Sequence, residues 1–179
     1  MTIREFSLKP FKSCDATVGV DVTGRISRHN DRLMLTYEVL GHLGALVVPT
    51  RAAVPRRQDD LWQATCFECF LRPVSQSQYW EVNLSPSYCW NVYRFQAYRS
   101  GGQPETAVQA LPFEVLSTST ALQTVWGFDL SVLGLAQQEL AIAIATVLQV
   151  QDGPLTYWAL SHPGPEPDFH HRDSFVMTL

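Results

Sequence analysis

The chain has 179 residues, with 13 Lys and Arg against 17 Asp and Glu and a formal net charge of −4. Its 46% hydrophobic content predicts one globular domain, residues 1–179, with a substantial core. The lack of a basic block argues against nucleic-acid binding, and the lack of a run of about 18 apolar residues argues against a membrane span. An N-terminus without an apolar signal region predicts a cytoplasmic protein. These features leave the oligomeric state open.

Short segments rich in β-branched and aromatic residues dominate the chain, and turn residues separate them. In chain order, the predicted strands cover residues 33–40, 67–71, 79–84, 91–98, 113–116, 124–128, 140–150 and 174–179. One short helix is predicted over residues 129–135, where Asp129 can act as the N-cap. The spacing predicts an all-β fold, an antiparallel sandwich or barrel.

A Cys-x-x-Cys pair, Cys66 and Cys69, lies within one of the predicted strands. Residues three apart on a strand point to opposite faces, so these two thiols are poorly placed to share a metal ion or form a disulfide. We therefore expect them to act as small buried hydrophobic side chains.

Alternation along the strands brings a polar set into view. Glu68 shares a face with Cys66 and Phe70, and on the next strand Glu81 and Asn83 share a face. Arg94 follows on a third strand, so Glu68, Glu81, Asn83 and Arg94 come together if the register places them on one sheet face. Carboxylates, an amide and a guanidinium among aromatic rings suit the hydroxyl groups and the apolar C–H face of a sugar.

Two other interpretations of this polar set stay open. It can be the solvent-facing side of an ordinary sheet, with cross-strand ion pairs such as Glu81 to Arg94. Alternatively, Glu68 and Glu81 can act as the acid and base of a glycosidase-like enzyme. No motif of a serine hydrolase, P-loop protein, zinc protease or dinucleotide-binding protein is present, which favours a non-catalytic protein.

The C-terminal region concentrates histidine and aspartate. Asp168, His170, His171 and Asp173 follow a proline-rich stretch that contains His162. Their density suggests a metal site, and the alternative is side chains that bond to the backbone of an irregular loop. No cofactor is expected, although calcium or haem remains open for this kind of fold.

Several segments together resemble a known family. They are residues 61–70, 79–87, 90–95, 98–99, 157–163, 167–170 and 173–175. As a set they resemble the DOMON-like domains related to family 9 carbohydrate-binding modules, over roughly residues 30–179.

The resemblance implies an antiparallel, jelly-roll-like β-sandwich that binds a small ligand, either a sugar or haem, and the sequence pattern adds one short helix to this fold. Family 9 modules hold a terminal sugar between tryptophans, with acidic, amide and arginine side chains around it. The matching positions in this sequence are Glu68, Glu81, Asn83 and Arg94, the candidate platforms Trp62, Trp80 and Trp90, and Asp168 and His170 in the closing segment. We therefore predict a non-catalytic domain that binds a mono- or oligosaccharide, with a haem-binding redox domain as the alternative and a glycosidase-like enzyme as a third hypothesis.

Overall fold

The structure, a computed structural model, describes residues 1–179 and is built almost entirely of strands. The thirteen strands are β1 (Thr2–Pro10), β2 (Asp21–His29), β3 (Arg32–Leu40), β4 (Arg56–Arg57), β5 (Cys66–Pro73), β6 (Tyr79–Leu84), β7 (Cys89–Phe95), β8 (Gln103–Pro104), β9 (Phe113–Ser117), β10 (Ala121–Asp129), β11 (Leu140–Gln149), β12 (Leu155–Ala159) and β13 (Met177–Thr178). Five short 3₁₀ helices connect them, at Asp15–Thr17, Leu43–Ala45, Leu61–Gln63, Leu130–Leu133 and Arg172–Ser174. None of these helices is long and apolar enough to span a membrane.

The thirteen strands form one curled sheet. Eleven of them follow the order β4-β7-β6-β5-β11-β12-β1-β2-β3-β10-β9, while β8 pairs with β7 and β13 with β11. Neighbouring strands run antiparallel, except that β4 runs parallel to β7. β1 turns the corner of the sheet: residues 2–8 pair with β2, and Lys9 and Pro10 pair with β12. The sheet can therefore curl so that its two halves face each other.

The main core lies between these two halves and contains 33 buried residues. Tyr37 on β3 packs against Phe67 on β5, with 4.9 Å between ring centroids. The Tyr37 hydroxyl donates a hydrogen bond of 2.6 Å to the backbone carbonyl of Glu68. Apolar burial and this bond hold the β5 region against the β3 region.

The C-terminal segment after β12 covers part of the sheet's outer face. Phe169 and Phe175 pack there with Phe70, Ala143 and other residues of a second, smaller apolar cluster. β11 is consequently buried on both faces, which explains its almost continuously apolar sequence. Its small alanines leave room for the segment to approach.

The all-β prediction is confirmed, and so are most of the predicted strands. The predicted closing strand, 174–179, is reduced to Met177–Thr178 because a 3₁₀ helix occupies Arg172–Ser174. The strand predicted over 91–98 ends at Phe95, where the chain turns back and Ala97 pairs with Ser100. Strands β1, β2 and β12 were not predicted, because their mixed polar and apolar residues give a weaker pattern, and neither were the two-residue strands β4 and β8.

The predicted helix over 129–135 is a short 3₁₀ helix, Leu130–Leu133. Asp129 caps it as expected, and its carboxylate accepts a 3.0 Å hydrogen bond from the backbone N–H of Ser131. Gly134 then adopts φ 71°, a left-handed conformation that ends the helix after one turn.

The two cysteines of the Cys-x-x-Cys pair are free and buried on opposite faces of β5. Cys69 belongs to the main core, whereas Cys66 packs with Leu61 and Cys89. The prediction that they serve as buried apolar side chains is confirmed.

Candidate functional site

A cavity of about 570 Å³ lies between the outer face of the sheet and the C-terminal segment. Its volume is in the range of small-molecule sites, about 300 to 1,000 Å³. The cavity is lined by Trp62, Gln63, Glu68, Glu81, Tyr93, Phe95, Arg99, Gly102, Val147, Leu155, Tyr157, Pro167, Phe169 and His170. Two residues of the polar face predicted from strand alternation, Glu68 and Glu81, therefore lie in one wall of a cavity.

Strand register places two carboxyl groups side by side in this wall. Glu68 pairs with Asn83 across the β5–β6 ladder, and Phe70 pairs with Glu81, so the two glutamates are diagonal neighbours. Both are almost fully buried, with 3% and 4% of their surfaces exposed. The side-chain amide of Asn83 donates a 2.7 Å hydrogen bond to Glu81 Oε1. Glu68 Oε1 is buried and has no hydrogen-bond partner.

Burial makes both carboxyl groups weak acids. It raises the pKa of Glu68 well above its usual range, and the neighbouring Glu81 raises it further, although Arg99 opposes the change. Burial also raises the pKa of Glu81 to about 7, against the opposing effects of the Asn83 hydrogen bond and of Arg99. Two adjacent buried carboxylates repel each other, so the pair retains protons near neutral pH.

The side chains of Tyr79 and His170 are hydrogen-bonded to each other close to Glu81. The Tyr79 hydroxyl accepts a 3.2 Å hydrogen bond from the backbone N–H of Arg99 and lies 2.7 Å from His170 Nδ1. His170 Nε2 in turn lies 3.6 Å from Glu81 Oε2. Burial lowers the pKa of His170 to about 4, with Arg99 acting in the same direction. His170 is thus neutral at pH 7.

Asp168 fixes the position of Arg99 and of the C-terminal segment. Its carboxylate accepts hydrogen bonds of 2.9 Å from Arg99 Nη2, 2.6 Å from the Tyr98 hydroxyl and 3.1 Å from the backbone N–H of His170. Hydrogen bonds from Tyr98 and Arg99 hold the pKa of Asp168 below its usual value despite partial burial. The paired Arg99 and Asp168 close one end of the cavity.

Aromatic rings form the remaining walls. Trp62 stands at the rim with 38% of its surface exposed, and its ring meets Tyr93 edge to face at 5.8 Å. The Tyr93 hydroxyl donates a 2.6 Å hydrogen bond to Asp59, which holds its ring in place. Tyr157 and Phe169 line the opposite side, 6.2 Å apart. Such surfaces can stack on the apolar face of a ligand.

The structure brings together six of the residues predicted from the sequence. Glu68, Glu81, Trp62 and His170 line the cavity, Asn83 supports Glu81 from behind, and Asp168 anchors Arg99.

Arg94 and Trp80 do not join them. In the β6–β7 ladder Glu81 pairs with Tyr93, and Arg94 pairs with Trp80 on the opposite face. Arg94 there lies 3.8 Å from Glu105, and Trp80 Nε1 donates a 3.1 Å hydrogen bond to the same carboxylate. The grouping of Arg94 with the two glutamates and the suggested Glu81–Arg94 ion pair are therefore wrong, because the register places Arg94 out of phase with them.

Trp90 also lies away from the cavity, in the main core. The guanidinium of Arg57 lies over its ring, 4.5 Å from the centroid. A tryptophan covered in this way cannot stack on a ligand in the cavity, so the proposed platform role is wrong for Trp90, as it is for the equally buried Trp80.

Ten of the fourteen lining residues were not predicted from the sequence, and four of the ten, Arg99, Tyr93, Tyr157 and Phe169, supply charge or aromatic surface. Alternation had placed Tyr93 on a face of its strand, but only the register shows that this is the face of Glu81. Arg99 sits in a turn at φ 48°, where no strand pattern applies. Tyr157 and Phe169 belong to β12 and the C-terminal segment, whose position depends on distant contacts.

The C-terminal histidines and aspartates, whose density suggested a metal site, do not form a cluster of metal ligands. In residues 1–179, no three His, Cys, Asp or Glu side chains gather closely enough to hold a metal ion. The histidines and aspartates of the C-terminal segment mainly bond to nearby protein groups. Asp168, for example, accepts hydrogen bonds from Arg99 and Tyr98, and His171 Nδ1 accepts one of 3.2 Å from the backbone N–H of Asp173.

The fold is similar to that of known carbohydrate-binding proteins. The crystal structure of a proposed carbohydrate-binding protein from Bacteroides uniformis matches with a TM-score of 0.71 and 14% identity, over 96% of this chain and 83% of that one. A family 9 carbohydrate-binding module from Caldicellulosiruptor kristjanssonii in complex with cellotriose matches with a TM-score of 0.52 and 10% identity, over 88% and 72% of the two chains. The sequence matches no family model and no curated protein. At these identities the similarity shows a shared fold.

Proposed function

We propose that the protein binds a carbohydrate, a monosaccharide or the end of a short oligosaccharide, in the cavity and does not change it chemically. The observation that carries this proposal is the combination, in one cavity, of two buried carboxyl groups with several aromatic rings. Sugars present both hydroxyl groups and apolar C–H faces, and this cavity offers a counterpart to each.

The polar contacts in this proposal start from Glu68. Its unpartnered Oε1 accepts a hydrogen bond from a sugar hydroxyl, which removes the cost of leaving a buried polar atom unsatisfied. Glu81 Oε2 takes a neighbouring hydroxyl, and the Arg99 guanidinium donates to ligand oxygens. Asn83 and Asp168 keep these groups in place before the ligand arrives, which reduces the entropic cost of binding.

The aromatic contacts come from Trp62 and Tyr93 on one side and Tyr157 and Phe169 on the other. A pyranose ring between these walls buries its C–H faces against the rings. Trp62 is the most exposed of the four side chains, so a bound ligand covers more of its surface than of the other three.

The shared fold adds support, since both similar structures described above are of proteins named for carbohydrate binding. We extend the proposal to the fold family: the curled sheet, with its halves packed face to face, is a jelly-roll-like variant of the DOMON-like domains.

Isothermal titration with glucose, galactose, mannose, N-acetylglucosamine and cellotriose tests the proposal. At least one of these should bind the wild-type protein. The variants Glu68→Ala and Trp62→Ala should each weaken that binding about tenfold, equivalent to about 1.4 kcal/mol. Glu5→Ala, on the exposed outer face of β1, is the matched control and should leave the affinity unchanged.

Two results would overturn the proposal. One is the absence of binding by the wild-type protein to every saccharide in the panel and to glucosamine. The other is binding that neither variant weakens, which would place the sugar elsewhere. Incubation with aryl glycosides tests the non-catalytic part, and release of the aryl group that is lost in Glu81→Gln would indicate a glycosidase instead.

A further inference from the structure

The cavity has more acidic than basic groups. Glu68 and Glu81 face it, and the only Lys or Arg in its lining is Arg99. Arg99 already forms a 2.9 Å ion pair with Asp168 and is half exposed to solvent. His170 is neutral at pH 7, because burial lowers its pKa to about 4. Arg99 is therefore shared between Asp168 and the two glutamates, and no second cation of the protein lines the cavity when the glutamates ionise.

The unpartnered oxygen of Glu68 lacks a hydrogen-bond donor, which a ligand can supply. Glu68 Oε1 is buried and lacks a donor, and the residue lines the cavity with 3% of its surface exposed. A sugar hydroxyl supplies one hydrogen, whereas an ammonium supplies three N–H donors and a positive charge. One ammonium group can therefore donate to Glu68 and to its diagonal neighbour Glu81 at once.

The aromatic walls of the cavity also favour a positively charged ligand. The faces of the Tyr93, Tyr157 and Phe169 rings carry negative electrostatic potential, and a cation among them gains attraction that a neutral group does not. Removal from water strengthens this attraction.

We propose that the cavity selects an amino sugar in its ammonium form, with the ammonium group held between Glu68 and Glu81 and the sugar ring between the aromatic walls. This inference rests on the proposed function and narrows its ligand class. It accounts for two adjacent buried carboxyl groups whose nearby cation, Arg99, is already paired with Asp168: the ligand brings a second cation.

Titration calorimetry at pH 7 with glucosamine, glucose and N-acetylglucosamine tests the inference on the wild-type protein. The three share a ring, but only glucosamine carries a positive charge. Glucosamine should bind at least about tenfold more tightly than the other two, since a charge-assisted hydrogen bond contributes about 1.5 to 3 kcal/mol. Cyclohexylamine, a ring amine without hydroxyl groups, is the fourth ligand.

The variant Glu68→Gln separates charge from hydrogen bonding, because the amide keeps an acceptor oxygen and loses the charge. The ratio of glucosamine to glucose affinity should fall toward one in this variant. Glu81→Gln serves as a second variant if the first does not fold, and Glu5→Gln is the exposed control that should keep the wild-type ratio. Circular dichroism and the melting temperature confirm folding.

Each outcome decides one hypothesis. Glucose or N-acetylglucosamine binding as tightly as glucosamine would overturn the inference and leave the proposed function intact. Binding of cyclohexylamine without binding of any sugar would overturn the proposed function, and with it the amino-sugar ligand. If both glutamine variants still prefer glucosamine over glucose, the carboxyl pair does not recognise the ammonium charge, and the inference is overturned.

Discussion

Glu68 and Glu81 lie diagonally across the ladder between β5 and β6, so that two nearly buried carboxyl groups share one wall of the cavity. Burial raises the pKa of each, and the neighbouring Glu81 raises the pKa of Glu68 further. The pair therefore connects the protein's stability, its response to pH and the charge of the ligand it accepts.

Replacing Glu81 with Gln should raise the free energy of unfolding at pH 8 and change it little at pH 4. The unfolded chain releases the Glu81 proton near a pKa of about 4.3. In the folded protein burial raises the pKa of Glu81 to about 7. The wild-type carboxyl therefore stabilises the fold at low pH, and this contribution is lost as the pH rises from about 4 to about 7. The Glu81→Gln variant does not ionise at this position, so it avoids a decrease of about 3 kcal/mol in the free energy of unfolding.

Urea denaturation of wild type and Glu81→Gln at pH 4, 6 and 8 measures this difference. Glu5→Gln, on the exposed face of β1, controls for the loss of one surface charge. If Glu81→Gln changes the free energy of unfolding equally at all three pH values, burial does not raise the pKa of the Glu81 carboxyl group.

His170 should be neutral at pH 6 and carry its proton on Nε2. The Tyr79 hydroxyl already accepts a hydrogen bond from the backbone N–H of Arg99, so its own proton is free to donate to His170 Nδ1. An imidazole that accepts at Nδ1 is protonated at Nε2. Since burial lowers the pKa of His170 to about 4, its contribution to stability is present above about pH 6.5 and lost as the pH falls toward 4.

Nitrogen-15 NMR of the imidazole ring reads the tautomer directly. Tyr79→Phe removes the hydroxyl and should shift the ring toward a mixture of the two neutral tautomers. A ring protonated on Nδ1 in the wild-type protein would show that the Tyr79 hydroxyl does not donate a hydrogen bond to His170.

Asp168→Ala should loosen the C-terminal segment over the cavity. The substitution removes hydrogen bonds from Arg99, Tyr98 and the backbone N–H of His170. Because part of this network is exposed, we expect a loss of only about 1 to 2 kcal/mol in the free energy of unfolding. The backbone amide of His170 should exchange its hydrogen faster by about tenfold or more.

Hydrogen–deuterium exchange of the segment tests this prediction. Asp173→Ala is the matched control, since Asp173 is exposed and its nearest basic group, on His171, is 3.9 Å away. Equal exchange at His170 in both variants would mean that Asp168 does not hold the segment.

Arg57→Ala should destabilise the protein more than Arg94→Ala. Arg57 donates to the Asn91 side chain and to the backbone carbonyl of Glu105, and its guanidinium covers the Trp90 ring. Its removal leaves partly buried acceptors without a donor, at a cost of about 2 to 4 kcal/mol. Arg94 makes one 3.8 Å ion pair and is 40% exposed, so its loss costs about 0 to 1 kcal/mol. Urea denaturation compares the two variants, and equal losses would refute the structural role of Arg57.

Much of the candidate site was predictable because strand alternation is a local property. Side chains two residues apart on a strand share a face whatever surrounds the strand. This periodicity alone grouped Glu81 with Asn83 and separated Cys66 from Cys69, and the structure agrees.

The register between strands was less accessible to sequence reasoning. The turn Ser85–Tyr88 joins β6 to β7, and its geometry, with Tyr88 at φ 68°, aligns Glu81 with Tyr93. A shift of one residue would have placed Arg94 opposite Glu81. The conformation of this turn therefore keeps Arg94 off the face of Glu81, and the composition of the turn does not predict that conformation.

The sequence by itself determined that the chain is all-β and which residues of each strand share a face, because both follow from periodicity within a few residues. Only the tertiary structure decided that Arg99 rather than Arg94 serves the cavity and that Asp168 and His170 cross the outer face of the sheet to close it. Those placements arise from contacts between residues far apart in the chain, such as Tyr79 with His170 and Arg99 with Asp168. Their energies depend on burial and distance, which exist only once the sheet has curled and the C-terminal segment has packed against it.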